Sequence, residues 1–180
     1  MKYCRSANKA KFKLNPKHID ENIFEFLSIA LNLDNVSMPK DIAYDSEAAE
    51  YGGCQFRLND HSIIFRVAKI TPKKMGQFVT LWTRGIDGII KPLTLNTCSD
   101  LVIIKTQHEK NFGAFIFPKA ELLRQDILAA DNQKGKLAFR LYPAWDTELN
   151  NNAIKTQLWQ KEFFVTGKKD AKQNVCDMVL

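Results

Sequence analysis

The sequence predicts a single α+β domain built on a mixed or mostly antiparallel sheet of about five to six strands flanked by helices. Three observations lead there. Apolar residues recur at helical spacing near the N-terminus and again in the last third of the chain, the period changes to two after Gly53, and the strands so marked are joined by short turns. The resulting order is α-α-β-β-β-β-β-α-β-α.

The first helix is predicted over 16–32. Asn15 can cap it, Pro16 suits the first helical position, and Ile19, Ile23, Phe26, Leu27, Ala30 and Leu31 form its stripe. Met38-Pro39 ends the connection. A second, short helix over 45–51 stops at Gly52-Gly53 and carries Glu47 and Glu50 three apart, on one face. Residues 54–58, the turn Asn59-Asp60, and 62–70 then read as a β-hairpin. Thr71-Pro72-Lys73-Lys74 breaks that strand, and 77–82 is the next. A loop with Gly85, Gly88 and Pro92 leads to the apolar run 101–104, read as a central strand, followed by 112–117. Pro118 opens a helix over 119–127 with Leu122, Leu123 and Ile127 buried. Residues 137–142 make the last strand, stopped by Pro143. Thr147 or Asn150 caps a final helix bearing Ile154, Leu158, Trp159 and Phe163. The domain thus runs over 15–166, between a basic flexible tail at 1–14 and a polar, flexible tail at 167–180.

A chain of 180 residues with 45% apolar content can bury about 70% of its unfolded surface, so it needs neither disulfides nor a structural metal. Cys4, Cys54, Cys98 and Cys176 form no C-x-x-C pair and follow no secretory apolar segment, which favours reduced thiols and a cytoplasmic location. No apolar run approaches the roughly 20 residues that span a bilayer, so membrane insertion is not expected.

The net charge of +6 is misleading as a nucleic-acid signal. Residues 1–18 hold Lys2, Arg5, Lys9, Lys11, Lys13 and Lys17 with no acid, and the remainder balances 20 basic against 20 acidic residues. A local patch survives: between Asp60 and Asp87 lie Arg66, Lys69, Lys73, Lys74 and Arg84 without one acid. It reads as a solvated strand and loop or as an anion-binding surface.

Familiar catalytic motifs are absent: no phosphate-binding glycine loop, dinucleotide fingerprint, serine elbow or H-E-x-x-H occurs. His18, His61 and His108 sit singly, without the neighbours that metal binding or acid-base work requires. Two segments are dense in chemistry instead. In 65–82, alternation puts Phe65, Val67 and Lys69 on one face, so Lys69 either snorkels to water or is held for a ligand. Arg66, on the other face, can grip a carboxylate or phosphate, or tie to an acid such as Glu47 or Glu50. In 140–160, Thr156, Trp159, Gln160 and Phe163 share one side of the last helix. They either pack on the sheet with their amides on backbone, or form a platform where a flat ligand stacks while Gln160 and Arg140 read its edge. The candidate ligand-binding residues are therefore Arg66, Lys69, Lys74, Gln77, Trp82 and Arg84 from the first segment and Arg140, Tyr142, Trp145 and Gln160 from the second, with Glu47 and Glu50 as acidic partners.

The segments F-R-V-A-K-I-T-P-K-K-M-G-Q-F-V-T-L-W-T-R (65–84), F-I-F-P-K (115–119), R-L-Y-P-A-W-D (140–146) and A-I-K-T-Q-L-W-Q (153–160) together resemble the MepB family, bacterial proteins named for operons that encode a multidrug efflux pump. The resemblance runs from about Glu47 to Phe164 in one order. It implies a stress or drug-response setting and carries over no catalytic residue.

Two functions follow as expectations. The first is binding of nucleic acid or another phosphate-bearing ligand through the basic patch, on a fold comparable to restriction endonucleases. The nuclease pattern itself fails: Val67 stands where an acid two before Lys69 is required, and the acid-x-Lys match Asp170-Ala171-Lys172 lies in the tail, leaving only convergence of Glu50, Asp60 and Lys69. The second is binding of a flat or cationic small molecule by Trp82, Tyr142, Trp145 and Trp159. No cofactor or metal-ligand set is indicated, and enzyme status stays open.

Overall fold

A computed structural model of the chain describes residues 39–45 and 53–166. The expected helix over 16–32, the body of that over 45–51 with Glu47 and Glu50, and both tails lie outside the described residues. The elements in chain order are β1 (Lys40–Tyr44), β2 (Cys54–Leu58), β3 (His61–Val67), β4 (Lys69–Thr71), β5 (Lys74–Thr80), β6 (Trp82–Arg84), β7 (Ile90–Pro92), β8 (Leu101–His108), β9 (Asn111–Pro118), α1 (Lys119–Arg124), β10 (Ala138–Leu141), α2 (Asn151–Gln160), a 3-10 turn (Lys161–Phe163) and β11 (Phe164–Val165).

Six strands form a mixed sheet in the order β1-β2-β3-β8-β9-β11, in which only the β3–β8 pairing is parallel. Its centre is written as unbroken apolar runs: Ile63-Ile64-Phe65 on β3, Leu101 to Ile104 on β8, and Ala114 to Phe117 on β9 are all buried. A strand covered on both faces has no polar side to alternate with, and its side chains each contribute about 1.5–3 kcal/mol of burial. On one face Phe56, Leu58, Ile63, Phe65, Leu101, Ile103 and Ile116 cluster. On the other, Ile64, Val102, Ile104, Phe115 and Phe117 meet Val79 and Leu81 from β5 and its end, Leu93, Leu122 of α1, Ile127, Leu128, Leu141 of β10, and Phe163.

The parallel step from β3 to β8 forces a long connection, and that connection builds the rest of the molecule. It holds β4 and β5, which with β10 make a three-stranded antiparallel sheet in the order β10-β5-β4, and the two-stranded β6–β7 ribbon. The strand expected over 62–70 is therefore two strands. It breaks at Ala68, whose N–H still donates to Lys105 O at 2.9 Å, after which the chain leaves the large sheet. The row Phe65, Val67, Lys69 ends at Val67, and Lys69 is an exposed residue of β4 opposite Phe78.

The final helix begins where Asn150 was expected to cap it, its Oδ1 accepting from Ala153 N at 3.0 Å. The helix expected over 119–127 stops at Arg124, because Asp126 turns to a φ of 54° and sends Ile127 into the core from a loop. The strands β1, β7 and β11, two to five residues long, were not expected. Cys54 and Cys98 are buried and free, and burial pushes their thiols up to about 12 and about 11, so both stay protonated near neutral pH. No helix among the described residues is long and apolar enough to cross a membrane.

Asp100 ties three element starts together. Its Oδ2 accepts from Ser62 N at 3.0 Å and Ser62 Oγ at 2.7 Å, and its Oδ1 from Lys119 Nζ at 3.0 Å. These donors hold the carboxyl well below the usual carboxylate range. A depressed pKa stabilises the fold above the unfolded value, near pH 4, and the stabilisation is lost as the pH falls further. With the Asp100 side chain 43% exposed, solvent screening limits the gain to about 1 kcal/mol. Asp100→Asn should therefore cost that much in urea denaturation above about pH 5, with the gap from wild type closing below about pH 4. A gap constant between pH 2 and 7 contradicts the tie.

Candidate functional site

The β4–β5 hairpin turns at Pro72-Lys73, where proline presets the backbone angle that such a turn needs. Ile70 pairs with Gln77 but Thr71 pairs with Lys74, so Met75 and Gly76 bulge out of the ladder. Gly76 has a φ of +77°, and a Cβ there would lie 2.6 Å from Tyr142 Cδ1 and Cε1 and 2.7 Å from Leu141 O. Only glycine fits. Arg140, paired with Phe78 across β10 and β5, grips the bulge from behind: its Nη1 donates to Met75 O at 3.1 Å and more loosely to the Lys74 and Gly76 carbonyls, and its Nη2 to Thr71 Oγ1 at 2.7 Å. The guanidinium also sits 5.9 Å from the centre of the Phe78 ring.

Next to the bulge Gln77 is 2% exposed. Its Nε2 makes a long bond of 3.4 Å to Gln107 O, and its Oε1 has no protein partner. The amide cannot be turned over, since the Gln107 carbonyl only accepts and must face the nitrogen.

Between this hairpin and the end of β8 lies a cleft of about 410 Å³, lined by Ile70 to Gln77 together with His108 and Asp146. Asp146 comes from the turn after β10, closed by Asp146 N donating to Pro143 O at 3.0 Å. Gln157 of α2 pins the same turn, its Nε2 donating to Pro143 O and Asp146 O at 2.9 Å each. The Asp146 side chain makes none of these bonds: its Oδ2 is buried with no partner, and burial raises its carboxyl above the ordinary range while His108 pulls it back. Among the described residues three buried side-chain polar atoms lack a partner, Gln77 Oε1, Trp145 Nε1 and Asp146 Oδ2. Each costs about 1–3 kcal/mol, and two of the three belong to residues that line one cleft, buried behind its surface.

Lys73, Lys74 and Met75 separate this cleft from a second, of about 560 Å³, whose far wall is Tyr142, Glu148 and Asn150. A third, of about 320 Å³, joins Phe139, Tyr142, Thr156 and Trp159. Lys74, Gln77, Arg140 and Tyr142 meet around the hairpin. The others are placed elsewhere. Arg66 is buried, its Nη1 donating to Phe65 O at 2.9 Å and its Nη2 paired with Asp45 Oδ2 at 3.1 Å, so the acid that ties it is Asp45. Trp82 and Arg84 share β6, the guanidinium 5.6 Å from the ring centre. The Trp145 ring stands edge-on to Phe164 at 5.3 Å. Gln160 is fully buried, accepting from Tyr142 N and donating to Arg140 O, both at 2.9 Å. Asp60 and Lys69 lie beyond opposite ends of β3, some 20 Å of strand apart, and do not converge. Among the described residues no three His, Cys, Asp or Glu side chains are placed to hold a metal ion.

His108 and Asp146 join the site without having been singled out. His108 reads as a lone histidine because its partner lies 38 positions away; Asp146 sits inside the dense 140–146 segment, but nothing local marks its carboxylate as buried.

The family described as MepB-like matches residues 45–166 of this chain. Among solved structures, the crystal structure of MepB is 31% identical in sequence, the match covering 84% of this chain and 99% of that one with a TM-score of 0.71. No curated protein matches.

Proposed function

This chain belongs to the MepB-like family, and on that footing we propose that it binds nucleic acid or another phosphate-bearing ligand at the tip of the β4–β5 hairpin. The observation that carries this reading is the placement of Lys73 and Lys74. Both are exposed, both border the two larger clefts, and neither is in an ion pair with a described residue. Arg66 and Arg140 are engaged within the protein, so the phosphate contacts fall to the lysines of the hairpin, and Arg140 holds the hairpin that presents them. Two exposed lysines adjacent in the chain at the hairpin tip can neutralise phosphates and release their counterions.

The test is binding of fluorescent single- and double-stranded DNA and RNA by the full chain across a salt series. Lys73→Ala/Lys74→Ala should reduce the slope of log affinity against log salt by about 1–2. Lys9, Lys11 and Lys13 changed to Gln measure the share of the N-terminal charges. An unchanged slope in the hairpin variant, with binding lost in the tail variant, contradicts the proposal.

A second reading, binding of a flat or cationic molecule in a drug- or stress-response setting, draws on the smaller cleft in which Phe139, Tyr142 and Trp159 meet. It requires saturable quenching of tryptophan fluorescence by a cationic dye, weakened in Tyr142→Leu; a flat titration contradicts it.

A further inference from the structure

We propose that residues 16–32 dock as an amphipathic helix on the face of the large sheet that carries Leu58, Ile63, Phe65, Ile103 and Ile116, so that the chain's own N-terminal segment closes this face. The burial there exceeds what the described residues account for. Leu58, Ile63, Phe65 and Ile103 are at most 1% exposed, and Ile116 is 2% exposed. Yet among the described residues every member of their cluster comes from the sheet itself, from β2, β3, β8, β9 and β11. Side chains on one face of a sheet keep their outer ends in water until a second layer, about 10 Å away, covers them. The opposite face has such a layer, since its strands meet Leu122 of α1, Leu141 of β10, and Ile127 and Leu128 from a loop.

The missing layer belongs to this chain, because the residues are buried within a single chain by itself. It is also wide. Along β2, Cys54 and Leu58 are buried while Gln55 and Arg57, which point to the other side, are exposed. The cover therefore reaches β2, where the layer on the opposite face does not. From β2 to β11 it spans four strand spacings, about 19 Å.

Three stretches lie outside the described residues: 1–38, 46–52 and 167–180. Residues 46–52 would make only about 10 Å of helix and carry Glu47 and Glu50. The stretch 167–180 opens with Gly-Lys-Lys-Asp and reaches its first large apolar residue at Val175. Residues 16–32 alone combine length with a stripe. Ile19, Ile23, Phe26, Leu27, Ala30 and Leu31 fall on one helical face, with Glu21, Glu25 and Ser28 on the other. A helix over that range is about 25 Å long, enough to cross the strands from β2 to β11. The link 33–38 reaches about 20 Å, twice the spacing between layers, and it leads into β1, which pairs with β2 at the edge of this same sheet.

The test uses the full chain with Phe26 replaced by the photoreactive p-benzoylphenylalanine, and with Glu25 replaced in the same way as the control on the polar side. Crosslinks formed on irradiation are mapped by peptide mass spectrometry. Position 26 is expected to crosslink within one chain to β2, β3, β8 or β9, in clear excess over position 25. Crosslinks from position 26 to α1 or β10, crosslinks between two chains, equal yields from both positions, or no crosslink from position 26 would each overturn the docking. A second measurement needs no bulky probe. Cys54 lies in the buried cluster, so its alkylation by N-ethylmaleimide reports whether the face is covered. Phe26→Ala should speed that reaction about 10-fold or more, because a large side chain is lost from the contact, whereas Glu25→Gln should leave it within about 2-fold. Cys54 reacting at the wild-type rate in Phe26→Ala overturns the docking whatever the crosslinks show.

Discussion

Gly76→Ala is expected to destabilise the protein by about 2–4 kcal/mol, a fall of roughly 5–15 °C in Tm for a chain of this size. Two effects add. A non-glycine residue at a φ of +77° costs about 1–2 kcal/mol. The new methyl would also lie 2.6 Å from the Tyr142 ring and 2.7 Å from Leu141 O, and the second of these is backbone, which cannot rotate out of the way. Relief therefore requires β10 to part from β5 or the bulge to flatten, at an overpacking cost of about 1–3 kcal/mol. A flattened bulge moves Gln77 out of register and takes the Arg140 hydrogen bonds with it, so ligand binding at the hairpin should fall with stability. Tyr142→Ala in the same chain removes the ring but not the Leu141 carbonyl, and should restore part of the loss, with a coupling energy of about 1 kcal/mol or more between the two sites. A Gly76→Ala protein melting within 1–2 °C of wild type, by calorimetry or circular dichroism, would show that the bulge is not seated against Tyr142.

The parts of the fold that local sequence describes are those whose determinants are local. The runs Ile63-Ile64-Phe65, Leu101 to Ile104 and Phe115 to Phe117 announce buried strands because no polar face interrupts them, and Asn59-Asp60 announces the turn between β2 and β3 because Asn59 takes the φ of 51° that asparagine tolerates. The division at Ala68 is different. Residues 62–70 alternate well enough for one strand, and what separates them is the competition between the large sheet, where Val67 pairs with Lys105, and the small one, where Lys69 pairs with Phe78. The bulge at Met75 and Gly76 likewise depends on Arg140, 64 positions from Gly76, which no local pattern contains. Spacing in 119–127 correctly marks Leu122 and Ile127 as core, but a helix and a turn can both deliver them there, and the left-handed Asp126 decides for the turn. For the candidate site, the two dense segments identify the hairpin and the strand that backs it. They do not separate residues free to meet a ligand from residues already engaged: Arg66, Arg140 and Gln160 are of the second kind, because their hydrogen bonds go to backbone, to Thr71 and to Asp45, even though Arg140 and Gln160 line a cleft.

Gln160 gives the sharpest test of that distinction. Its amide does for β10 what a neighbouring strand would do: β10 is an edge of the β10-β5-β4 sheet, and Gln160 offers an acceptor to Tyr142 N and a donor to Arg140 O, both at 2.9 Å, from a fully buried position. Gln160→Leu fills the same space but leaves one N–H and one C=O without partners, at about 1–2 kcal/mol each, so stability should drop by about 2–4 kcal/mol in urea denaturation. Because the two backbone groups flank Leu141, whose carbonyl touches Gly76, the loss should also loosen the hairpin. Gln160→Glu adds a further signature. The carboxylate still accepts from Tyr142 N but cannot donate to Arg140 O, and it buries a charge, so at neutral pH this variant should be at least as unstable as Gln160→Leu. Burial raises such a carboxyl, so the folded state binds the proton more tightly than the unfolded state and stability must rise as the pH falls through the raised value, when the O–H replaces the lost donor. An amide whose business is reading a ligand would behave in the opposite way, with affinity lost, melting temperature unmoved and no recovery in acid.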